Sequence, residues 1–141
     1  MNSTLLLDFD GVVHRNMNGT FERMPLLEAW LLARPSVDIV ISSSWRLESS
    51  LAQLRDCFAS EQLHPRVVGV TPDLPDALRY QRQAEIEHYL RESARVRRPF
   101  AALDDDGSLF APSCPFLVRT DPRIALTAEH LDELDRRLRL G

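Results

Sequence analysis

The residues of this chain best suited to chemistry are two acidic groups. Asp8 ends an apolar run, Leu5-Leu6-Leu7, and Asp10 follows two positions later. Asp104, Asp105 and Asp106 follow a second apolar run, Phe100 to Leu103. If those two runs are neighbouring strands of one sheet, at least four carboxylates crowd one small volume. Like charges at that spacing repel and cannot all stay ionised without compensation. A hard divalent cation supplies it. Mg2+ takes oxygen ligands and keeps several of its waters, so it suits such a set. Taken alone, an Asp-x-Asp is a polar turn and Asp104 to Asp106 a capped turn. Their joint placement at the ends of buried strands makes them a candidate metal site.

The elements that must carry these residues can be read from the hydrophobic pattern. Thr4 to Phe9 is filled with apolar side chains and lacks a 3.6-residue rhythm, as in a strand covered on both faces. Gly11 to Arg23 holds Asn16, Asn18 and Gly19 and reads as a loop or short hairpin. Pro25 suits a first helical turn. Leu26, Leu27, Trp30 and Leu31 recur at helical spacing up to Arg34, before Pro35. Val37 to Ile41 is a second strand, closed by Ser42-Ser43-Ser44. Leu47, Leu51, Leu54 and Phe58 predict a helix starting at Arg46. Val67 to Val70 is a third strand, and Gln81 to Ser93 the next helix. Phe100 to Leu103 and Phe116 to Arg119 are the last two strands. Thr127 is the expected N-cap of a final helix lined by Leu131, Leu134 and Leu138. This alternation means an α/β fold: a mainly parallel five-stranded sheet between helices. In open sheets of this kind, ligands bind outside the carboxyl ends of the strands, where Asp8 and Asp104 sit.

Composition narrows the classes. The chain has 141 residues, enough for one domain, and no Pro-, Gly- or Ser-rich linker divides it, so residues 1–141 are expected to form a single domain. At 44% hydrophobic it can supply a core. Its apolar runs are far short of the roughly 20 residues of a membrane helix. The start, Met1 to Leu5, has no basic n-region, which makes the cytoplasm the expected location. The net charge of -4 argues against a surface coated for nucleic acid but leaves room for a small basic site. Cys57 and Cys114 are expected to be reduced, mostly buried thiols. The histidines His14, His64, His88 and His130 have no zinc spacing. No Gly-rich loop ending in Gly-Lys-Ser/Thr is present, which disfavours that class of ATPase. Ser43 lacks a nucleophile-elbow setting.

Asp8-Phe9-Asp10-Gly11-Val12 resembles the first signature of the haloacid dehalogenase-like (HAD) phosphohydrolases. Ile39-Val40-Ile41-Ser42 resembles the second, Leu103-Asp104-Asp105 the fourth, and Arg82 stands where the third signature has its Lys or Arg. The string Ser42-Ser43-Ser44-Trp45-Arg46, with Asp104-Asp105-Asp106, further resembles a small-domain branch, some of whose members are linked to RNA repair. The resemblance implies a Rossmann-like three-layer sandwich with strand order 5-4-1-2-3 and no separate cap domain.

It also implies a Mg2+-dependent phosphomonoester hydrolase. Asp8 would be the nucleophile that forms an aspartyl-phosphate, and Asp10 the general acid and then base. Mg2+ would contact Asp8, the Asp10 backbone carbonyl and Asp105, with Asp104 the alternative ligand. Ser42 would bind a phosphoryl oxygen, helped by Ser43, Gly11 and the amino end of the following helix. Ser42 could otherwise simply cap that helix. Arg82 would offset transferred charge, with Arg79 and Arg46 as competitors. A catalytically silent binding module and a phosphotransferase are the alternatives. Without a cap, the site would accept a phosphorylated small molecule or a nucleic-acid end, or take a protein partner as its lid. His14 could touch substrate but reads first as an exposed loop histidine. Trp45 could stack on a base or pack beside the sheet. Arg91, Arg95, Arg97 and Arg98 could meet phosphates but suit the solvent face and end of a helix, as do Arg136, Arg137 and Arg139.

Overall fold

The computed structural model describes residues 2–77 and 79–140. Five strands form one sheet: β1 (Ser3–Leu7), β2 (Val37–Ile41), β3 (Val67–Val70), β4 (Phe100–Asp104) and β5 (Leu117–Arg119). Their order is β3-β2-β1-β4-β5, and every pairing is parallel. That is the order the resemblance implied, traversed from the other edge. β1 lies in the middle, bonded to β2 on one side and β4 on the other. Asp8 and Asp104 therefore leave the sheet side by side.

The alternation of side chains along the strands divides the core into two. Leu5, Leu7, Ile39, Ile41, Ala101 and Leu103 face one way, toward α1 (Met24–Leu32), α2 (Leu51–Asp56) and α4 (Ala128–Arg137). Leu6, Val40 and Ala102 face the other, toward Ile86 and Leu90 of α3 (Gln81–Glu92) and toward Phe110 and Phe116. Burial on both faces is why these strands read as filled apolar runs.

Three local expectations are changed or narrowed. The stretch from Arg46 to Phe58 is not one helix. A 3-10 turn spans Ser44–Leu47, and α2 begins only at Leu51. Ser50 makes the break: its hydroxyl accepts from the Gln53 amide at 3.1 Å, and the Gln53 side chain accepts from the Ser50 amide at 2.8 Å. This capping box starts a new helix, and Leu47, on the far side of it, is exposed. Second, of the loop or short hairpin expected for Gly11 to Arg23, the structure has the loop, built of turns. It contains one isolated bridge, Asp10 to His14, and no hairpin. Third, Cys57 and Cys114 are free thiols but only half-buried. Thr127 does start α4, its amide donating to His130 Nδ1 at 2.9 Å.

Candidate active site

The carboxyl edge of the sheet collects the acidic groups. Asp8 follows β1 directly and its amide donates to Leu103 O on β4 at 3.1 Å. Asp104 is the last residue of β4. Both are buried. One carboxylate oxygen from each of Asp8, Asp104 and Asp105 lies within 4.8 Å of the others. Burial pushes the Asp8 carboxyl well above the usual range, and the Asp104 charge adds to the effect. Burial also raises Asp104, against the opposing pull of Arg82. The cluster is thus electrostatically unfavourable as it stands and would gain from a cation. Hard oxygen donors at this separation fit a divalent ion such as Mg2+.

Arg82, in the first turn of α3, is the cation the fold supplies. The chain has no lysine, so any such cation must be an arginine. Its Nη1 donates to Asp104 Oδ2 at 2.7 Å and lies 3.6 Å from Asp8 Oδ1. Burial works against its charge, but the facing carboxylates of Asp104 and Asp8 raise its pKa overall. Asp104 Oδ1 meanwhile accepts from the Asp106 amide at 3.0 Å. Asp104 is therefore engaged through both oxygens.

The competing arginines are placed elsewhere. Arg79 is exposed. Arg46 is buried and pairs with Glu85 at 2.9 Å. It also donates to the carbonyls of Thr71, Pro72, Ser42 and Ser43. Its side chain ties the end of β2 to the segment after β3, so it serves as a structural clamp.

Gly11 is where a backbone requirement meets the site. Its φ is +75°, and a Cβ there would stand 2.5 Å from the Asp105 carboxylate. Its N–H donates to Asn16 O at 2.8 Å, so it has no free amide for a phosphoryl oxygen. What Gly11 contributes is room for Asp105. Gly11→Ala is expected to displace that carboxylate and weaken Mg2+ binding while the sheet still folds. Melting curves with increasing Mg2+ would check this, and an unchanged midpoint concentration would contradict it.

Ser42 is fully buried after β2, and its Oγ has no partner among the described residues. The cap of the next turn is Ser43, whose Oγ accepts from the Trp45 amide at 3.3 Å. That turn has only four residues, so it lacks the aligned peptides that would make a strong anion-binding helix end. Ser44 lines the open cavity, a position its sequence neighbours gave no reason to single out. The cavity has a volume of about 380 Å3, and Asp8, Asp10, Arg82, Asp104 and Asp105 line it. A second groove of about 320 Å3 shares Asp10, Met17 and Ser44 with it and continues past Trp45 and Leu47.

The largest departure from expectation is His14. It is fully buried, not exposed. Its Nε2 lies 2.7 Å from Asp10 Oδ1, and Trp45 Nε1 donates to the same oxygen at 3.2 Å. The imidazole packs against Phe21 and Trp45, with ring centroids at 5.0 and 5.9 Å. Trp45 is thus committed to Asp10 and to the Phe9 and Phe21 rings. The only sequence signal for this contact was the four-residue spacing of Asp10 and His14 across a glycine turn.

Arg119, the last residue of β5, reaches this edge and donates from Nε to the Asp105 carbonyl at 3.3 Å, whereas the arginines expected on helix faces and ends lie away from it. Arg95 bonds Asp38 and Thr4, at the amino ends of β2 and β1. Arg136 and Arg137 pair with Glu133 on α4. Among the described residues, no helix is long and apolar enough to cross a membrane. Residues 4–131 match the family model described as the HAD domain in Swiss Army Knife RNA repair proteins. No curated protein and no solved structure matches the chain.

Proposed function

Because the chain belongs to the HAD domain family of Swiss Army Knife RNA repair proteins, we propose that it is a Mg2+-dependent phosphomonoester hydrolase working through an aspartyl-phosphate. The observation that carries this reading is the convergence of Asp8, Asp104 and Asp105 within 4.8 Å, beside Arg82 and under an open cavity.

In the first step an Asp8 oxygen attacks phosphorus. Its bond to phosphorus forms as the bond to the leaving oxygen breaks. Asp10 gives its proton to that oxygen, which keeps the electron pair. In the second step Asp10 takes a proton from water, which attacks the aspartyl-phosphate and returns Asp8 as a carboxylate. Arg82 offsets the charge passing through Asp8 and steadies Asp104. Ser42 Oγ, with no partner among the described residues, suits a phosphoryl oxygen, as does the Ser43 amide. Asp8, Asp105 and the Asp10 carbonyl would hold Mg2+, which, when bound, drains charge from the phosphoryl oxygens. Asp105 is favoured over Asp104 as direct ligand because Arg82 and the Asp106 amide already occupy Asp104.

The substrate is a phosphorylated end presented to an open edge. Residues 1–141 act as one domain with no separate cap, and the groove past Trp45 and Leu47 gives a long leaving group somewhere to lie. Nucleotide and nucleic-acid phosphate ends are the substrates of choice, and a protein partner could cover the edge. A silent binding module is disfavoured because metal binding alone gives no reason to hold the Asp10 side chain between His14 and Trp45.

Turnover of p-nitrophenyl phosphate that requires Mg2+, followed by a comparison of nucleotides with 3′- and 5′-phosphorylated oligonucleotides, tests the reading. Chelating the metal should abolish turnover and lower the melting temperature. At Mg2+ 100 times its Kd, the stabilisation should be about 2.7 kcal/mol. A well-folded preparation indifferent to Mg2+ in both assays would contradict it.

A further inference from the structure

Two ring nitrogens converge on one oxygen of Asp10. His14 Nε2 is 2.7 Å from Oδ1 and Trp45 Nε1 is 3.2 Å from it. Oδ2 receives no hydrogen bond among the described residues, and the Asp10 side chain lines the cavity at 22% exposure. His14 itself is fully buried within the Phe9, Phe21 and Trp45 aromatic group, and its Nδ1 has no partner among the described residues. A buried polar atom without a partner costs stability and calls for an explanation. It also fixes the tautomer. A proton on Nδ1 would have no acceptor, whereas one on Nε2 meets Oδ1.

We propose that His14 and Trp45 are positioning residues that saturate Oδ1 of Asp10 and so assign proton transfer to Oδ2. An oxygen accepting two N–H bonds cannot carry the acid proton without losing one of them, so the proton resides on Oδ2. As the Asp8–phosphorus bond forms, the Oδ2–H proton passes to the leaving oxygen, and the broken bond's electron pair stays on that oxygen. The same Oδ2 then takes a proton from the attacking water. Without the two donors the carboxyl rotates about its Cβ–Cγ bond, and the proton faces the wrong way for much of the time. The assignment rests on the hydrolase reading and adds residues that reading does not require.

Leaving-group dependence separates positioning from mere structural support. Proton donation matters for an alkyl phosphate, whose alkoxide leaves poorly, and hardly at all for 2,4-dinitrophenyl phosphate. The readout is the ratio of kcat/KM for the dinitrophenyl ester to that for an alkyl phosphate. A general acid contributes about 10²–10⁴-fold. His14→Phe should therefore raise the ratio by roughly 10²-fold. Trp45→Phe, which keeps the ring and loses only the weaker donor, should raise it less. His14→Gln, which restores an N–H, should bring it back toward the wild-type value. Because the ratio compares two substrates on one preparation, partial unfolding leaves it unmoved. A second measurement needs no turnover: long-range 1H–15N correlation of the His14 imidazole in the metal-free protein should show the Nε2–H tautomer. An unchanged ratio in both His14→Phe and Trp45→Phe, or an Nδ1–H tautomer, would overturn the assignment. A wild-type protein with no Asp8-dependent turnover of either ester would refute the hydrolase reading and the proton transfer with it.

Discussion

Asp8→Asn is expected to lower kcat by about 10⁴-fold or more, the scale seen when an enzyme loses its nucleophile. The same substitution should raise the melting temperature of the metal-free protein. The two effects have one cause. Asp8 is buried beside Asp104, and burial together with that neighbour penalises its charge. Asparagine is nearly the same shape and carries no charge, so the repulsion is relieved. It also offers no anionic oxygen for attack on phosphorus. Mg2+ should stabilise the variant less than the parent, because one anionic ligand is gone. Steady-state kinetics and melts with and without Mg2+ would check the pair of outcomes. A variant that is less stable without metal and equally active would contradict both.

Arg46→Ala is expected to cost about 3–5 kcal/mol of stability, the range for breaking one side of a buried ion pair. That is a large fraction of the roughly 5–15 kcal/mol that holds a typical domain together. The side chains of Arg46 and Glu85 are only 3% and 2% exposed. Removing the guanidinium leaves Glu85 buried with the Leu74 amide and Gln81 side chain as its donors. It also frees the Thr71 and Pro72 carbonyls and loosens Ser42 and Ser43 at the site's edge. Arg46→Lys should recover little, because a point-like ammonium cannot reproduce the fork. The double change Arg46→Met with Glu85→Leu should cost less than Arg46→Ala, since it leaves no unpaired charge. Urea unfolding of the three variants measures this. A cost below about 1 kcal/mol for Arg46→Ala, as at an exposed pair, would contradict the clamp.

What the sequence made legible follows from periodicity and from strand ends. β2 and β3 run from Val37 to Ile41 and from Val67 to Val70, the β-branched stretches that patterning marks. Asp8 and Asp104 were visible because each ends a filled apolar run, and their meeting follows from the adjacency of β1 and β4. The acidic cluster needed no more than that. His14 was misread because its burial comes from tertiary packing. The turn at Gly11 folds it under Phe21 and Trp45, partners distant in sequence or separated by a loop. The break before α2 was missed because an apolar stripe does not register a capping box, which depends on Ser50 and Gln53. Arg46 looked available for phosphate because a sequence shows charge and not the carbonyls gathered around it. Gly11 is expected at a phosphoryl oxygen, whereas the structure occupies its amide and gives it a steric role toward Asp105.

The most direct test of the central claim, that Asp8 carries the phosphoryl group, is to quench the protein with acid during turnover of a phosphomonoester in Mg2+. The peptide spanning Asp8 is then examined by mass spectrometry. The account predicts a phosphoryl group on Asp8 that hydroxylamine removes and that Asp8→Asn lacks. Steady turnover with the phosphoryl group on another residue would contradict it.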